Sequence, residues 1–316
     1  MTSSKKVTVG IDIGGTNTVF GLVDAQGNCL LQKAIKTTDY PLVEDFVTKV
    51  TKELKDLIST ESNLEVVGMG IGAPNANYYT GTIEFAPNLK WEGIIPLTQL
   101  FSAHFNFPIF LTNDANAAAI GERIYGAAKG VDDFVMVTLG TGLGSGFVVN
   151  GDLVYGHDGF AGELGHTIVE KNGRTCGCGR MGCLETYASA SGIVRTAKEL
   201  MQNNSKSTLT TLKELSSKSI ADVALQGDAL ALEIFDYTAE KLGFSLANTV
   251  ALTSPKLIVL FGGLAQSGDL ILKPTKKHME AYLLKIFKNK VAVVPSKLKA
   301  ADAAILGASA LAWQNI

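Results

Sequence analysis

His166, Cys176, Cys178 and Cys183 stand in one glycine-rich stretch, G-H-T-I-V-E-K-N-G-R-T-C-G-C-G-R-M-G-C-L-E. A histidine and three cysteines are the nitrogen and sulfur ligands that a closed tetrahedral zinc site takes. Gly177, Gly179 and Gly182 let the chain turn tightly around an ion, and Glu163 and Glu185 bracket the stretch with carboxylates that zinc does not need. Those two acids are expected to stand free for a substrate. The plainer alternative is that the cysteines are small buried hydrophobes in a reduced protein. Cys29 stands apart and is assigned nothing.

Two glycine turns could hold phosphates. Asp12-Ile13-Gly14-Gly15-Thr16-Asn17 offers successive backbone N–H groups unobstructed by side chains, plus a hydroxyl, the kind of concave donor set that binds a phosphate tail. Asp12 is placed to hold the accompanying Mg²⁺ through water, because Mg²⁺ keeps much of its hydration. Leu139-Gly140-Thr141-Gly142-Leu143-Gly144 repeats the device. Each alone could be an ordinary hairpin turn; together they argue for a nucleotide. No Walker A sequence exists in the chain. Gly68-Met69-Gly70-Ile71-Gly72-Ala73 fits a dinucleotide fingerprint, but Pro74 follows where the helix should run, so a Rossmann site is rejected and those glycines are read as points of close backbone approach. Asn113-Asp114 ends an apolar run and precedes Ala115, Ala117, Ala118 and Ala119, where an aspartate is either a catalytic acid or a helix cap.

The elements that must position these residues alternate in the manner of an α/β protein. Val7 to Ile11, Phe20 to Val23 and Leu30 to Ile35 read as a meander, Leu42 to Ile58 carries a helical apolar stripe, and Val66 to Ile71 and Ile109 to Thr112 read as further strands. Ala115 to Tyr125 follows as a helix. The strand–turn–strand pattern at Val9 to Thr16 recurs at Val135 to Gly142, with Asp12 matched by Thr138, 126 positions on. Two related halves are implied. Helices are expected over Ala188 to Gln202, Ala229 to Val250 and Ala301 to Trp313, a strand over Leu257 to Phe261, and a surface excursion over Ser205 to Ser219.

With 316 residues, 46% hydrophobic and 18% charged, the chain is long enough for two domains. A net charge of −2 offers no field for nucleic acid or an anionic membrane. No apolar run resembles a signal peptide or a membrane span. Cysteines committed to a metal suit a reducing cytoplasm. Asn203-Asn204-Ser205 matches a glycosylation acceptor and is discounted for want of a secretory signal.

The chain resembles the ROK family (repressors, open reading frames, kinases), its glucokinase branch in particular. The resemblance rests on Asp12-Ile-Gly-Gly-Thr16, Ala86-Pro-Asn-Leu-Lys-Trp91, Asn113-Asp-Ala-Asn-Ala-Ala-Ala119, Leu139-Gly-Thr-Gly142, Gly162-Glu-Leu-Gly-His166 and Cys176-x-Cys178 through Cys183-Leu-Glu185, in order from Val7 to Tyr187, with Gly262-Gly263 beyond. It implies an actin-like, duplicated ribonuclease-H-type fold, with 1–114 and 302–316 in a smaller α/β domain, 115–301 in a larger one bearing the zinc loop, and ATP and sugar meeting in a cleft between. It implies Asp114 as the base that takes the proton from a hexose 6-hydroxyl, and Asn113, Glu163, His166, Glu185, Asn88 and Gly81 as sugar contacts. His166 would then serve zinc with one ring nitrogen and sugar with the other. Gly262-Gly263 is the candidate adenine-side turn. Asn17 supplies no positive charge to the first turn, which leaves Mg²⁺ and backbone dipoles to neutralise phosphate.

Glucose is the leading acceptor; mannose, fructose, N-acetylglucosamine and N-acetylmannosamine are alternatives within the family. The family's repressors carry a helix-turn-helix domain ahead of the first glycine turn, which here begins within a dozen residues of Met1, so a repressor is disfavoured. An actin-like ATPase without a sugar substrate would have no use for the zinc loop. A homodimer or higher homo-oligomer is implied by the resemblance alone.

Overall fold

The computed structural model describes residues 4–202, 206–298 and 303–316. The glycosylation-like Asn203-Asn204-Ser205, the first residues of the expected C-terminal helix and the expected domain junction at 301/302 lie outside them. The chain divides into two compact units, one of Met1–Gly130, Leu153–Ala161 and Lys297–Ile316, the other of Val131–Asp152 and Gly162–Ser296.

In the first unit, β1 (Lys5–Ile13), β2 (Asn17–Asp24) and β3 (Cys29–Lys36) form the expected meander. Helix α1 (Val43–Ser59) follows, with Phe46, Val50 and Leu54 fully buried along one stripe. Strands β4 (Leu64–Gly72) and β8 (Ile109–Thr112) then add in parallel to the first sheet, giving the order β3-β2-β1-β4-β8. Between them lie a small three-stranded sheet of β5 (Ala76–Asn77), β6 (Thr82–Glu84) and β7 (Ile94–Ile95), and the short helix α2 (Leu97–Ser102), none of which was expected. Strands of two or three residues are too brief to show a period of two. Helix α3 (Asp114–Tyr125) leaves β8 directly.

The C-terminal helix, Ala303–Asn315, lies hard against this sheet. A Cβ on Gly70 would fall on the carbonyl of Ala308, and one on Gly10 on the carbonyl of Ile305. The glycines that mimicked a dinucleotide fingerprint therefore serve close helix–sheet packing. On its other side the helix turns Gly307 to α3, where an added Cβ would lie 2.6 Å from the Ala117 carbonyl oxygen.

The second unit repeats the scheme. Strands β9 (Phe134–Leu139), β10 (Leu143–Val149), β11 (Asp152–Leu153), β12 (Leu257–Phe261) and β13 (Ala292–Pro295) assemble as β11-β10-β9-β12-β13, with β9/β10 antiparallel and β9/β12/β13 parallel. That matches the first sheet strand for strand, so the sequence echo corresponds to a true structural duplication. Helices α4 (Ala190–Met201), α5 (Ser217–Leu225), α6 (Ala229–Thr253) and α7 (Asp269–Tyr282) complete the unit. Residues Leu230, Ile234, Phe235, Leu242 and Leu246 of α6 enter one core with Val135, Val137, Ile258 and Leu260.

The segment expected as a surface excursion is partly interior. Thr208–Thr211 forms a short 3-10 turn that buries Leu209 completely, and Ser217 already begins α5. A single apolar residue in a polar run carries no periodicity, so only its packing partners reveal it.

Candidate active site

In the first unit the ends of β1, β4 and β8 bring together the residues expected to do chemistry. Asn113 is the N-cap of α3, its side-chain oxygen accepting from the Ala115 N–H at 2.8 Å. Asp114 is thus the first helical residue, with Asn113 taking the capping role, and its Oδ1 also accepts from Ala115 N–H at 2.8 Å. Gly72 lies between Asp114 and Asp12: a Cβ built there would sit 3.5 Å from Asp12 Oδ1 and 3.6 Å from Asp114 Cα. The end of β4 thus stands directly between the two carboxylates, within contact distance of both residues. Asp114 is accessible to solvent, yet the mass of protein around it desolvates its carboxyl and pushes its pKa above the usual range. Asp12 is raised to about 7, first by burial and then by the charge of Asp114. Two carboxylates that repel each other in this way make a fit place for a hydrated divalent cation, which would relieve the repulsion.

The first glycine turn is closed by Gly14 N–H to the Asn17 carbonyl at 3.0 Å and tied to the next segment by Thr37 N–H to the Thr16 carbonyl at 2.8 Å. Asn88 packs on this turn, since a Cβ on Gly15 would come within 3.2 Å of Asn88 Cβ. Gly81 has φ +68°, and both its backbone groups are engaged, N–H with the Asn77 carbonyl and C=O with Thr98 N–H and Oγ1.

In the second unit the expected metal ligands converge. The ligand atoms of His166, Cys176, Cys178 and Cys183 all lie within 4.8 Å of one another. The Cys176 Sγ to His166 Nδ1 separation is 3.7 Å and Cys178 Sγ to Cys183 Sγ is 3.6 Å. Zn–S bonds of about 2.3 Å in a tetrahedron require edges of about 3.7 Å, so the donor set and its spacing fit zinc. Binding through Nδ1 leaves Nε2 as the ring nitrogen available to a ligand. Burial pushes the Cys176 thiol up to about 12, while Cys178, which accepts a bond from the Arg180 backbone, is held at about 6.

Glu185 departs from expectation, for it does not stand free. Its Oε2 accepts from the Leu143 N–H at 2.9 Å and sits where a Cβ on Gly142 would have to go; its Oε1 is 3.8 Å from Cys176 Sγ. One carboxylate thus joins the cysteine loop to the second glycine turn. That turn is further held by Ala190 N–H to the Gly140 carbonyl at 2.8 Å and Ser191 Oγ to the Thr141 carbonyl at 2.6 Å, while Gly144 N–H donates to Thr138 Oγ1 at 3.0 Å. Gly262, with φ +99°, packs on the Leu139–Gly140 peptide, and neighbouring Gly263 is open. Glu163 is exposed at the entry to the 3-10 turn Leu164–His166. Sequence reasoning missed Ser191, which reaches the second glycine turn from the start of α4, where Ser189 is the N-cap; the run S-A-S-G was the available sign.

Two sheets of one topology, each ending in a glycine turn, define an actin-like ATPase fold of the sugar-kinase type. The model of the ROK family matches residues 8–315, and the chain belongs to that family. It is 37% identical over 284 residues to a glucokinase of Halalkalibacterium halodurans, covering 87% of this chain and 86% of that protein. It is 34% identical over 314 residues to a glucokinase of Thermotoga maritima, with 98% of each covered. A ROK family glucokinase from Streptomyces griseus, solved in complex with glucose and AMPPNP, matches with a TM-score of 0.82 at 33% identity, covering 98% of this chain and 99% of that one. The family's breadth is visible in the xylose repressor of Bacillus subtilis, 30% identical over 96% of this chain and 76% of the repressor. Among the described residues no helix is long and apolar enough to cross a membrane.

Proposed function

We propose that this chain is an ATP-dependent hexose kinase that phosphorylates the 6-hydroxyl of glucose. The observation that carries the reading is Asp114: solvent-accessible, fixed at the start of α3 beside Asp12, with a carboxyl raised above its ordinary value. In the reaction the hexose 6-oxygen forms a bond to the γ-phosphorus, the bond from that phosphorus to the departing ADP oxygen breaks, and the hydroxyl proton passes to Asp114. Phosphoryl transfer through a loose transition state calls for positioning and charge neutralisation more than for a strong base, so a carboxylate suffices.

Asp12 would hold Mg²⁺ through water, and the ion would supply charge neutralisation on the phosphates. The backbones of Gly14, Gly15, Thr16 and Asn17, and of Gly140, Thr141, Gly142 and Gly144, would cradle the triphosphate, with Gly262-Gly263 on the adenine side. Asn88, Asn113, Glu163, His166 and Glu185 would receive the sugar hydroxyls; carboxylates suit that task because each oxygen accepts a hydroxyl hydrogen. Zinc on His166, Cys176, Cys178 and Cys183 would hold the loop that presents three of them. The enzyme would work in the cytoplasm as a homo-oligomer.

The test is ADP release measured with glucose, mannose, fructose, N-acetylglucosamine and N-acetylmannosamine. Glucose is expected to give the highest kcat/KM. Preference for another sugar would reassign the acceptor, and ATP hydrolysis indifferent to every sugar would overturn the reading.

A further inference from the structure

Beyond the residues expected to touch sugar, one buried hydroxyl holds the loop that carries Glu163. Ser145 lies on β10, next to the second glycine turn, and is 6% exposed. Its Oγ donates to the Gly162 carbonyl and accepts from the Leu164 N–H at 3.2 Å. Those two backbone groups flank Glu163 on either side. Gly162 takes φ +102°, where an L side chain is strained, and Gly165 packs so closely on the Leu143 carbonyl that it has no room for a Cβ. The loop is thus pressed onto β10 over four residues, and Ser145 ties the backbone on both sides of Glu163 to that strand. The same strand receives Glu185 at the Leu143 N–H, so both acids take their places from β10.

We propose that Ser145 is a positioning residue for Glu163 that sets the enzyme's affinity for its hexose. This rests on the reading of Glu163 as a sugar contact. A single hydroxyl serving as donor and acceptor fixes the peptides before and after the acid, and with them the direction of its side chain. Without it, the turn keeps its own bond from Leu164 N–H to the Gly162 carbonyl at 2.8 Å, but both groups lose their link to β10 and the turn around Glu163 is held less firmly on the strand. The glycine turn does not depend on the Ser145 hydroxyl, so nucleotide affinity and the chemical step should be spared.

Steady-state kinetics of Ser145→Ala, Glu163→Gln and the double variant test the idea. For Ser145→Ala, KM for glucose should rise about tenfold, while kcat and KM for ATP stay within about threefold and zinc content is unchanged. In the double variant the loss should be no greater than that of Glu163→Gln alone, because the serine acts only through the acid. Should Ser145→Ala fail to fold, Ser145→Cys, which keeps the volume and weakens both bonds, must show the raised glucose KM. A wild-type KM in the alanine or cysteine variant, equal damage to kcat and ATP binding, or additive losses in the double variant would each overturn the proposal. A wild-type enzyme that phosphorylates no hexose would instead sink the functional reading beneath it.

Discussion

Asp114 and Asp24 show how one residue type takes opposite roles by its surroundings. Asp114 is desolvated with a second carboxylate near it, and its pKa goes up. Replacing it by Asn should leave the fold and sugar binding intact and lower kcat by a factor of about 10² to 10⁴; near-normal turnover would remove it from the base role. Asp24, at the end of β2, is buried, which by itself would raise its pKa. The side chains of Lys5 and Asn28 and the Asn28 backbone more than offset that and bring it to about 2. A carboxyl whose folded pKa is depressed stabilises the protein above its unfolded pKa of about 4 and ceases to do so as pH falls towards 2. Asp24→Ala should therefore cost about 2 kcal/mol at neutral pH, a figure kept modest because Lys5 is half exposed. The gap in melting temperature between variant and parent should close between pH 4 and pH 2.

At the scale of elements, glycines that look alike in sequence do different work. Gly70 faces the backbone of the C-terminal helix, whereas Gly140 has nothing within 4 Å of where its Cβ would be. Gly70→Ala should force helix and sheet apart and cost at least about 1–3 kcal/mol, read as a fall in melting temperature with no specific change in ATP affinity. Gly140→Ala should melt as the parent does yet raise the KM for ATP by about tenfold, because the methyl would stand where phosphate is expected. Equal melting temperatures for the two variants would refute this division.

For the molecule as a whole, the cysteine loop is the piece that a metal would govern. His166 is one of its expected ligands and Glu185 lies beside it, 3.8 Å from Cys176 Sγ. The purified protein is expected to carry one zinc per chain by elemental analysis. Stripping the metal with a strong chelator should lower the melting temperature and raise the glucose KM more than the ATP KM, both reversed by added zinc. Protein found without zinc, or indifferent to its removal, would contradict the assignment.

The residues of the candidate site were legible in the sequence because each belongs to a short contiguous motif: the two glycine turns, Asn113-Asp114, Glu163 through His166 and the cysteines. Strands β8 and β12 were legible to the residue, and the duplication showed as an echo of Asp12 in Thr138 that the two matching sheets bear out. What only the tertiary structure decided are contacts between segments remote in the chain. Gly72 stands between an aspartate at the end of β1 and one at the start of α3, Glu185 binds the backbone of Leu143, Ser145 ties the turn around Glu163 to β10, and Leu209 finds a core. Local sequence fixes which groups are present and which way a strand or helix face is patterned. The partner that each polar atom meets depends on close packing between elements, and packing is settled only when the whole chain is folded.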